Sequence, residues 1–172
     1  MLRLFLSHAS ADLYAADRIC VALQSPRTRV FMSLRHTPFG VSILESVAHE
    51  IDTADAVVVA WSNAAERRPW VFKEITHAKE RSKYIIPVIL EKDAPPFPSL
   101  AADVRSVPFY LNPADALERL RHRIVALVQI KEAREQAEAR ARTGWAVALV
   151  AIAALGICAH AFEREADEDE DE

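Results

Sequence analysis

A tryptophan and a glutamate, Trp70 and Glu74, lie four positions apart in the stretch RRPWVFKEITHAKE, residues 67–80. In a helix, side chains at this spacing share one face and lie one turn apart. The pair has two interpretations: the inward edge of an ordinary amphipathic helix, or the wall and the carboxylate of a catalytic pocket. The pair alone does not choose between them, so the answer depends on the elements that position it.

Composition excludes several other kinds of site. Glycine occurs only three times in 172 residues, which excludes a glycine-rich phosphate loop of the GxGxxG or the GxxxxGK type. Cys20 and Cys158 are far apart and the six histidines are scattered, so no metal site or disulfide framework is predicted. This cysteine usage suits a reducing compartment. Because no basic patch is interleaved with aromatic residues, we expect no nucleic-acid partner.

Short apolar runs alternate with amphipathic helical patterns from residue 2 to about 130. Strands are predicted at residues 2–6, 28–32, 55–62, 84–90 and 106–111. Helices are predicted between them, the first capped by Ser10 and the last beginning at about residue 114. Apolar strands that alternate with helices are typical of a parallel sheet covered on both faces. We therefore predict a flavodoxin-like α/β domain with five parallel strands, in which Pro87 puts the fourth strand at an edge or a bulge.

Three predicted loops converge on one edge of this sheet. SHASAD, SLRHTPFG and SNAAERRPW follow the first three strands, and the next helix carries Trp70 and Glu74. Ligands of open parallel sheets bind at the carboxyl ends of the strands, where the winding reverses. We therefore expect a single cleft lined by Ser7, His8, Arg35, Phe39, Trp61, Ser62 and Glu74.

The segment WAVALVAIAALGICAHAF, residues 145–162, carries no charged side chain. As a helix it reaches about 27 Å, enough for a bilayer core, so we predict a single transmembrane helix rather than a buried helix of a soluble domain. Basic residues precede it, at Lys131, Arg134, Arg140 and Arg142. An excess of basic residues marks the cytoplasmic side, so the N-terminal domain is expected in the cytoplasm, at the bacterial inner membrane. The start of the chain does not resemble a cleaved signal peptide.

Two charged segments flank the predicted span. Residues 131–144 pair opposite charges four positions apart, which predicts a stiff helical stalk; a coiled coil is the weaker alternative. Residues 163–172 carry a net charge of −7, so the other 162 residues have a net charge of +3. We interpret 163–172 as a disordered acidic tail and residues 1–130 as the folded domain.

Four motifs together resemble a known family. FLSHASAD after the first strand, RHTPFG in the second loop, ADAVVVAWSNAA and PWVFKE look like a TIR (Toll/interleukin-1 receptor) domain of bacterial type. They stand in the family's order and spacing over residues 1 to about 130. The resemblance implies a flavodoxin-like fold with five parallel strands. It also implies that Glu74 matches the glutamate of the family's WxxxE-type motif, which enzymatically active members need to cleave NAD+.

A single carboxylate is enough for the cleavage of NAD+. Ordinary glycosidases use two carboxyl groups because a leaving oxygen must be protonated. Nicotinamide leaves NAD+ as a neutral molecule and needs no general acid, so Glu74 would stabilise the oxocarbenium-like ribose. The resemblance makes Trp70 or Trp61 a candidate for contact with the nicotinamide ring. Candidates for diphosphate or ribose contacts are Ser7, His8 and Arg35. NAD+ is expected as a substrate, and no cofactor is expected.

Simpler interpretations exist for the same residues. An acidic side chain near the start of a helix is favoured by the helix dipole, which accounts for Glu74 without catalysis. Trp70 fits core packing at least as well as ligand contact, and His8 fits a hydrogen-bonded loop residue. His36 stands where the family usually has an acidic residue, so the second loop departs from the family's pattern. Phe39 in that loop fits either self-association or the mouth of a pocket.

Two functions of different classes remain open. The first is a membrane-anchored NAD+ glycohydrolase in bacterial immune or antiviral signalling; the resemblance implies that it is activated by assembly, when one domain completes the site of its neighbour. The second is a non-enzymatic adaptor that binds other TIR domains. A response regulator is disfavoured because Ser62 and Asn63 follow the third strand, where a receiver domain would carry its phosphorylated aspartate.

Overall fold

A parallel sheet of five strands organises the first part of the chain. The computed structural model describes residues 1–32, 43–98 and 105–142. The strands are β1 (Leu2–Ser7), β2 (Thr28–Met32), β3 (Ala56–Trp61), β4 (Tyr84–Ile89) and β5 (Val107–Pro108). Their order is β2-β1-β3-β4-β5, and every neighbouring pair is parallel. The predicted flavodoxin-like sheet is confirmed, and its winding reverses beside β1.

Helices connect the strands. They are α1 (Leu13–Leu23), α2 (Ile43–Thr53), α3 (Asn63–Glu66), α4 (Pro69–Glu80) and α5 (Pro113–Arg142). A 3₁₀ turn at Ser10–Asp12 precedes α1, so Ser10 lies inside a turn and does not cap the helix as predicted. The short helix α3 was not predicted, because a segment of four residues has too little periodicity to detect.

The sheet is buried on both faces, which explains the uniformly apolar strands. All six residues of β3 are buried. Successive side chains of a strand point to opposite faces, so Phe5, Val57 and Val59 face the side that carries α2 and α4. They form one buried cluster with Val47, Ile51, Trp61, Val71, Ile75 and Ala78. Ser7 lies two residues beyond Phe5 and therefore faces the same side, toward α4.

Pro87 lies inside a regular strand. It is in register with Val59 of β3, while β5 pairs with β4 only at Val88 and Ile89. Among the described residues, β4 therefore has a strand neighbour on one side only at Pro87. A proline is tolerated at such a position because its missing N–H interrupts no ladder there. The fifth strand is also shorter than the predicted 106–111, with two residues in the ladder.

The chain divides into two compact units, Met1–Val125 and Ala126–Glu172. In the first unit, Arg121 Nε donates to the carbonyl oxygen of Ala22 over 3.0 Å and so ties α5 to the end of α1. Buried residues of α5 in this unit are Ala116, Leu120 and Ile124.

In the second unit, the predicted helix continues to Arg142. Two of the predicted pairs of opposite charge form ion pairs, Arg134 with Glu138 at 3.0 Å and Lys131 with Glu135 at 4.0 Å. None of the helices within the described ranges combines the length and the apolar character that a bilayer crossing requires. The predicted span at 145–162 and the predicted tail at 163–172 lie outside those ranges.

Candidate active site

Glu74 is a carboxylate on the buried face of a helix. Helix α4 begins with Pro69 at its first position, which a helix accepts because that N–H has no helical partner. Its buried residues recur at helical spacing and are Val71, Glu74, Ile75 and Ala78. Only 6% of Glu74 is exposed, so the carboxylate has lost nearly all of its contact with bulk water. The simpler interpretation of Glu74, a solvated side chain favoured by the helix dipole, therefore does not apply to this buried carboxylate.

The hydroxyl of Ser7 donates a hydrogen bond to Glu74 Oε2. Ser7 is the last residue of β1 and is itself buried. The parallel register pairs it with Val59 of β3, so its backbone is fixed within the sheet. The contact joins residues 67 positions apart in sequence, and it lies where the winding of the sheet reverses. The structure thus brings together two of the residues predicted to share a cleft.

Burial raises the pKa of Glu74 to about 7, and the hydrogen bond from Ser7 acts in the opposite direction. Desolvation disfavours the charged form of a carboxyl group, whereas a donor to the carboxylate favours it. At neutral pH the side chain is therefore divided between its protonated and its ionised forms. A carboxyl group with this pKa can stabilise positive charge when ionised and can accept a proton from water.

Ser62 links the loops that follow β1 and β3. Its hydroxyl donates to Asp12 Oδ2 over 2.6 Å, and its oxygen accepts the backbone N–H of Ala65 over 2.9 Å. The second contact caps α3 at its amino end. Because Ser62 is fully buried and makes both bonds, it serves as a structural connector at this edge of the sheet.

A further carboxylate belongs to the same edge. Glu91 follows β4, and its Oε2 accepts both the backbone N–H and the side-chain amide of Asn63, over 3.0 and 2.7 Å. The pKa of Asp12 is raised, mainly by burial and also by the charge of Glu91, while Ser62 and the charge of His8 lower it. Sequence reasoning did not single out Asp12, Asn63 or Glu91. Asp12 and Asn63 did stand in loops predicted to meet at this edge.

His8 follows Ser7 and is buried. Its electrostatic effect on Asp12 places it beside the Asp12–Ser62 pair. The predicted position at the carboxyl edge of the sheet therefore agrees with the structure, while contact with a substrate stays a prediction.

The two tryptophans have different environments. Trp61 is 1% exposed, and its ring packs edge-on against Phe72 and Phe97, with centroids 5.6 and 5.2 Å away. Its indole N–H donates to the carbonyl oxygen of Pro95 over 2.7 Å. These contacts make Trp61 a core residue in this conformation. Trp70 is 38% exposed, and its ring is available at the surface.

The guanidinium carbon of Arg68 lies 5.1 Å from the centroid of the Trp70 ring, a cation–π distance. Trp70 is therefore not packed in the core, the alternative that its sequence left open. Two further predicted site residues, Arg35 and Phe39, lie outside the described residues. Within the described ranges, no group of three or more His, Cys, Asp or Glu residues could hold a metal ion.

A family model described as the TIR domain matches residues 4–124. No protein with a curated description matches the sequence. Among solved structures, the chain is similar to the TIR domain of the Toll-related receptor TRR-2 from Hydra magnipapillata. The two are 17% identical, with a TM-score of 0.49 over 55% of this chain and 74% of the other.

Two other solved structures are similar to part of the chain. The TIR domains of the activated Roq1 resistosome, which recognises the pathogen effector XopQ, are 22% identical, with a TM-score of 0.45 over 51% of this chain and 57% of the other. A 2-deoxyribosyltransferase from Leishmania mexicana is 11% identical, with a TM-score of 0.44 over 53% of this chain and 66% of the other.

Proposed function

Because the chain belongs to the TIR domain family, we propose that it is an NAD+ glycohydrolase with Glu74 as its catalytic carboxylate. One observation carries the proposal: a carboxylate lies on the buried face of α4, bonded to Ser7 at the carboxyl end of β1. Ligands of parallel α/β sheets bind at this end of the strands, beside the reversal of the winding.

The proposed reaction begins with loss of nicotinamide. The bond between C1′ of the ribose and the ring nitrogen breaks, and its electron pair stays on nicotinamide, which becomes neutral. The ribose gains oxocarbenium character, and the ionised carboxylate of Glu74 stabilises this charge. Burial strengthens the interaction because the surrounding dielectric constant is lower than that of water.

Water then completes the reaction at C1′. The attacking water forms the new carbon–oxygen bond and releases one proton, so that the products are nicotinamide, ADP-ribose and a proton. With a pKa of about 7, the carboxylate of Glu74 is suited to accept this proton and release it to solvent near neutral pH. An internal hydroxyl of ADP-ribose attacking in place of water would give a cyclic product.

The proposal extends to the membrane. Residues 145–162 form the anchor, and the TIR domain lies in the cytoplasm of a bacterial cell, where NAD+ loss would serve immune or antiviral defence. Support comes from the uncharged run itself, from Trp145 at its boundary and from the preceding Arg140 and Arg142. Anchored domains are confined to two dimensions, which raises their effective concentration and favours self-association.

A second candidate function is a TIR adaptor that acts by association with other TIR domains. The deep burial of Glu74 favours it. A carboxyl group that is shielded from solvent and bonded to Ser7 could serve only to hold α4 against β1. The adaptor would need no turnover, and Glu74 would act only as the buried partner of Ser7.

Nicotinamide release from NAD+ separates the two functions. The full-length chain is assayed in detergent and in phospholipid vesicles, with self-association measured on the same samples by chemical crosslinking. Release that increases on the vesicle surface supports the anchored enzyme. Association of folded protein without any release in either condition would overturn the enzyme proposal in favour of the adaptor.

A further inference from the structure

The two oxygens of the Glu74 carboxylate have different environments. Oε2 accepts the hydroxyl hydrogen of Ser7. Within the ranges that the structure describes, Oε1 has no hydrogen-bond partner. One oxygen is thus occupied by the protein and the other is left for another group.

Ser7 is well placed to hold that arrangement. Its backbone belongs to β1, which pairs with β2 on one side and with β3 on the other. The side chain has a single rotatable hydroxyl and is 1% exposed, so it cannot turn toward solvent without leaving its buried position. A donor fixed by the sheet loses little conformational entropy when it makes the bond.

We propose that Ser7 is a positioning residue: its hydroxyl holds Oε2 of the ionised Glu74 carboxylate in place, so that Oε1 faces the ribose of the substrate. This inference rests on the proposed NAD+ glycohydrolase function. It gives Ser7 a role through Glu74, in place of the direct diphosphate or ribose contact expected from sequence.

Charged neighbours do not provide an alternative means of holding the carboxylate. Titratable residues on the surrounding elements are His8 after β1, Asp12 before α1, His49, Glu50 and Asp52 on α2, and Lys73, His77, Lys79 and Glu80 on α4 itself. Burial and the Ser7 hydroxyl are the two causes of the shift in the Glu74 pKa, and none of the described charges contributes to it. Ser7 is therefore the one described group that favours the ionised carboxylate.

Four versions of the full-length chain test the inference: the parent, Ser7→Ala, Ser7→Thr and Ser10→Ala. The threonine variant keeps the hydroxyl. The Ser10→Ala control removes an exposed hydroxyl from the turn that follows the same strand. For each, kcat and KM for NAD+ are measured against pH, and the pKa of the Glu74 carboxyl is measured by carbon NMR on glutamate-labelled protein.

Loss of a hydrogen bond to a charged group lowers kcat of Ser7→Ala by about 10- to 100-fold. KM stays close to the parent value, and the pKa of Glu74 rises. Ser7→Thr restores both quantities, and Ser10→Ala matches the parent. An effect of Ser7→Ala on KM alone would overturn the inference in favour of direct substrate contact.

The NMR titration keeps the inference separate from the proposed function. If the parent protein releases no nicotinamide, the enzyme proposal fails. The bond to Ser7 is then judged from the pKa of Glu74 in Ser7→Ala and Ser7→Thr. An unchanged pKa in Ser7→Ala would overturn the positioning role whether or not the protein turns over NAD+.

Discussion

Ser62 Oγ lies 2.6 Å from Asp12 Oδ2 and also accepts the backbone N–H of Ala65. The residues Ser62 and Asp12 are 50 positions apart, so this bond fixes the loop after β3 against the turn after β1. The same side chain begins helix α3, which leads directly into α4 and Glu74. The candidate catalytic helix is therefore coupled to the first strand through Ser7, and to the turn after that strand through Ser62.

Replacing Ser62 by alanine should destabilise the domain by about 1–3 kcal/mol, because the helix cap is lost and the half-buried Asp12 loses its donor. Urea denaturation measures the free energy of unfolding. Ser25→Ala removes a hydroxyl from an exposed turn and should change that free energy by less than about 0.5 kcal/mol. Equal effects of the two substitutions would contradict the structural role of Ser62.

Glu74→Gln should stabilise the folded domain at alkaline pH. Folding raises the pKa of this carboxyl from 4.5 to about 7, so the folded state holds the proton more tightly than the unfolded state. The cost of ionising the buried group therefore appears as pH rises above 4.5 and is fully present above about pH 7. Between about pH 5 and pH 8, the variant should gain about 2–3 kcal/mol over the parent.

Denaturation of both proteins at these two pH values measures that gain. Glutamine keeps the size of the side chain and an oxygen for the Ser7 hydroxyl, so packing is a minor difference. A gap between the two proteins that stays constant with pH would show that Glu74 keeps an ordinary pKa in the folded protein.

Turnover should also depend on the ionisation of Glu74. Under the proposed function the ionised carboxylate is the active form, so kcat/KM should rise through about pH 7 and level off above it. The value of kcat/KM reports the free enzyme, which is the state that the structure describes. Steady-state kinetics across this range, with controls for unfolding at each pH, provide the measurement. A flat profile would assign the rate to another group.

The two tryptophans should respond differently to substitution. Trp61→Phe removes the bond to Pro95 and part of the contact with Phe72 and Phe97, and should cost about 1–3 kcal/mol of stability. Trp70→Ala removes an exposed ring and should cost less than about 1 kcal/mol, while raising KM if the ring contacts nicotinamide. Urea denaturation and initial-rate kinetics check both. A larger loss of stability for Trp70→Ala than for Trp61→Phe would contradict the assignment of Trp61 to the core and of Trp70 to the surface.

Sequence alone predicted the sheet because every strand that is buried on both faces must be apolar along its length. It also predicted that Ser7 and Glu74 would lie at the same edge of the sheet, since parallel strands bring their carboxyl ends together, but it did not predict the hydrogen bond between them. Trp61 was predicted to line the cleft, and the structure instead packs its ring in the core, on the same face of the sheet as Val57 and Val59.

Other features depend on side-chain pairing between distant segments. The bonds from Asn63 to Glu91 and from Ser62 to Asp12 join different loops, and loop residues carry no periodicity that fixes their partners. The burial of Glu74 was equally hidden, because the sequence also fitted a solvated carboxylate near the start of a helix, whereas the structure places Glu74 beyond the first turn of α4. Its environment follows from how α4 packs on the sheet, which spacing within the helix does not determine.

Nicotinamide release by the full-length chain, beside its Glu74→Gln variant, shows whether Glu74 is the catalytic carboxylate. Both proteins are assayed on vesicles with saturating NAD+ at about pH 8, where the parent carboxyl is mostly ionised. We expect release by the parent and a loss of about 100-fold or more in the variant, whose fold is preserved or stabilised. Equal release by the two proteins would contradict the assignment of Glu74 as the catalytic carboxylate.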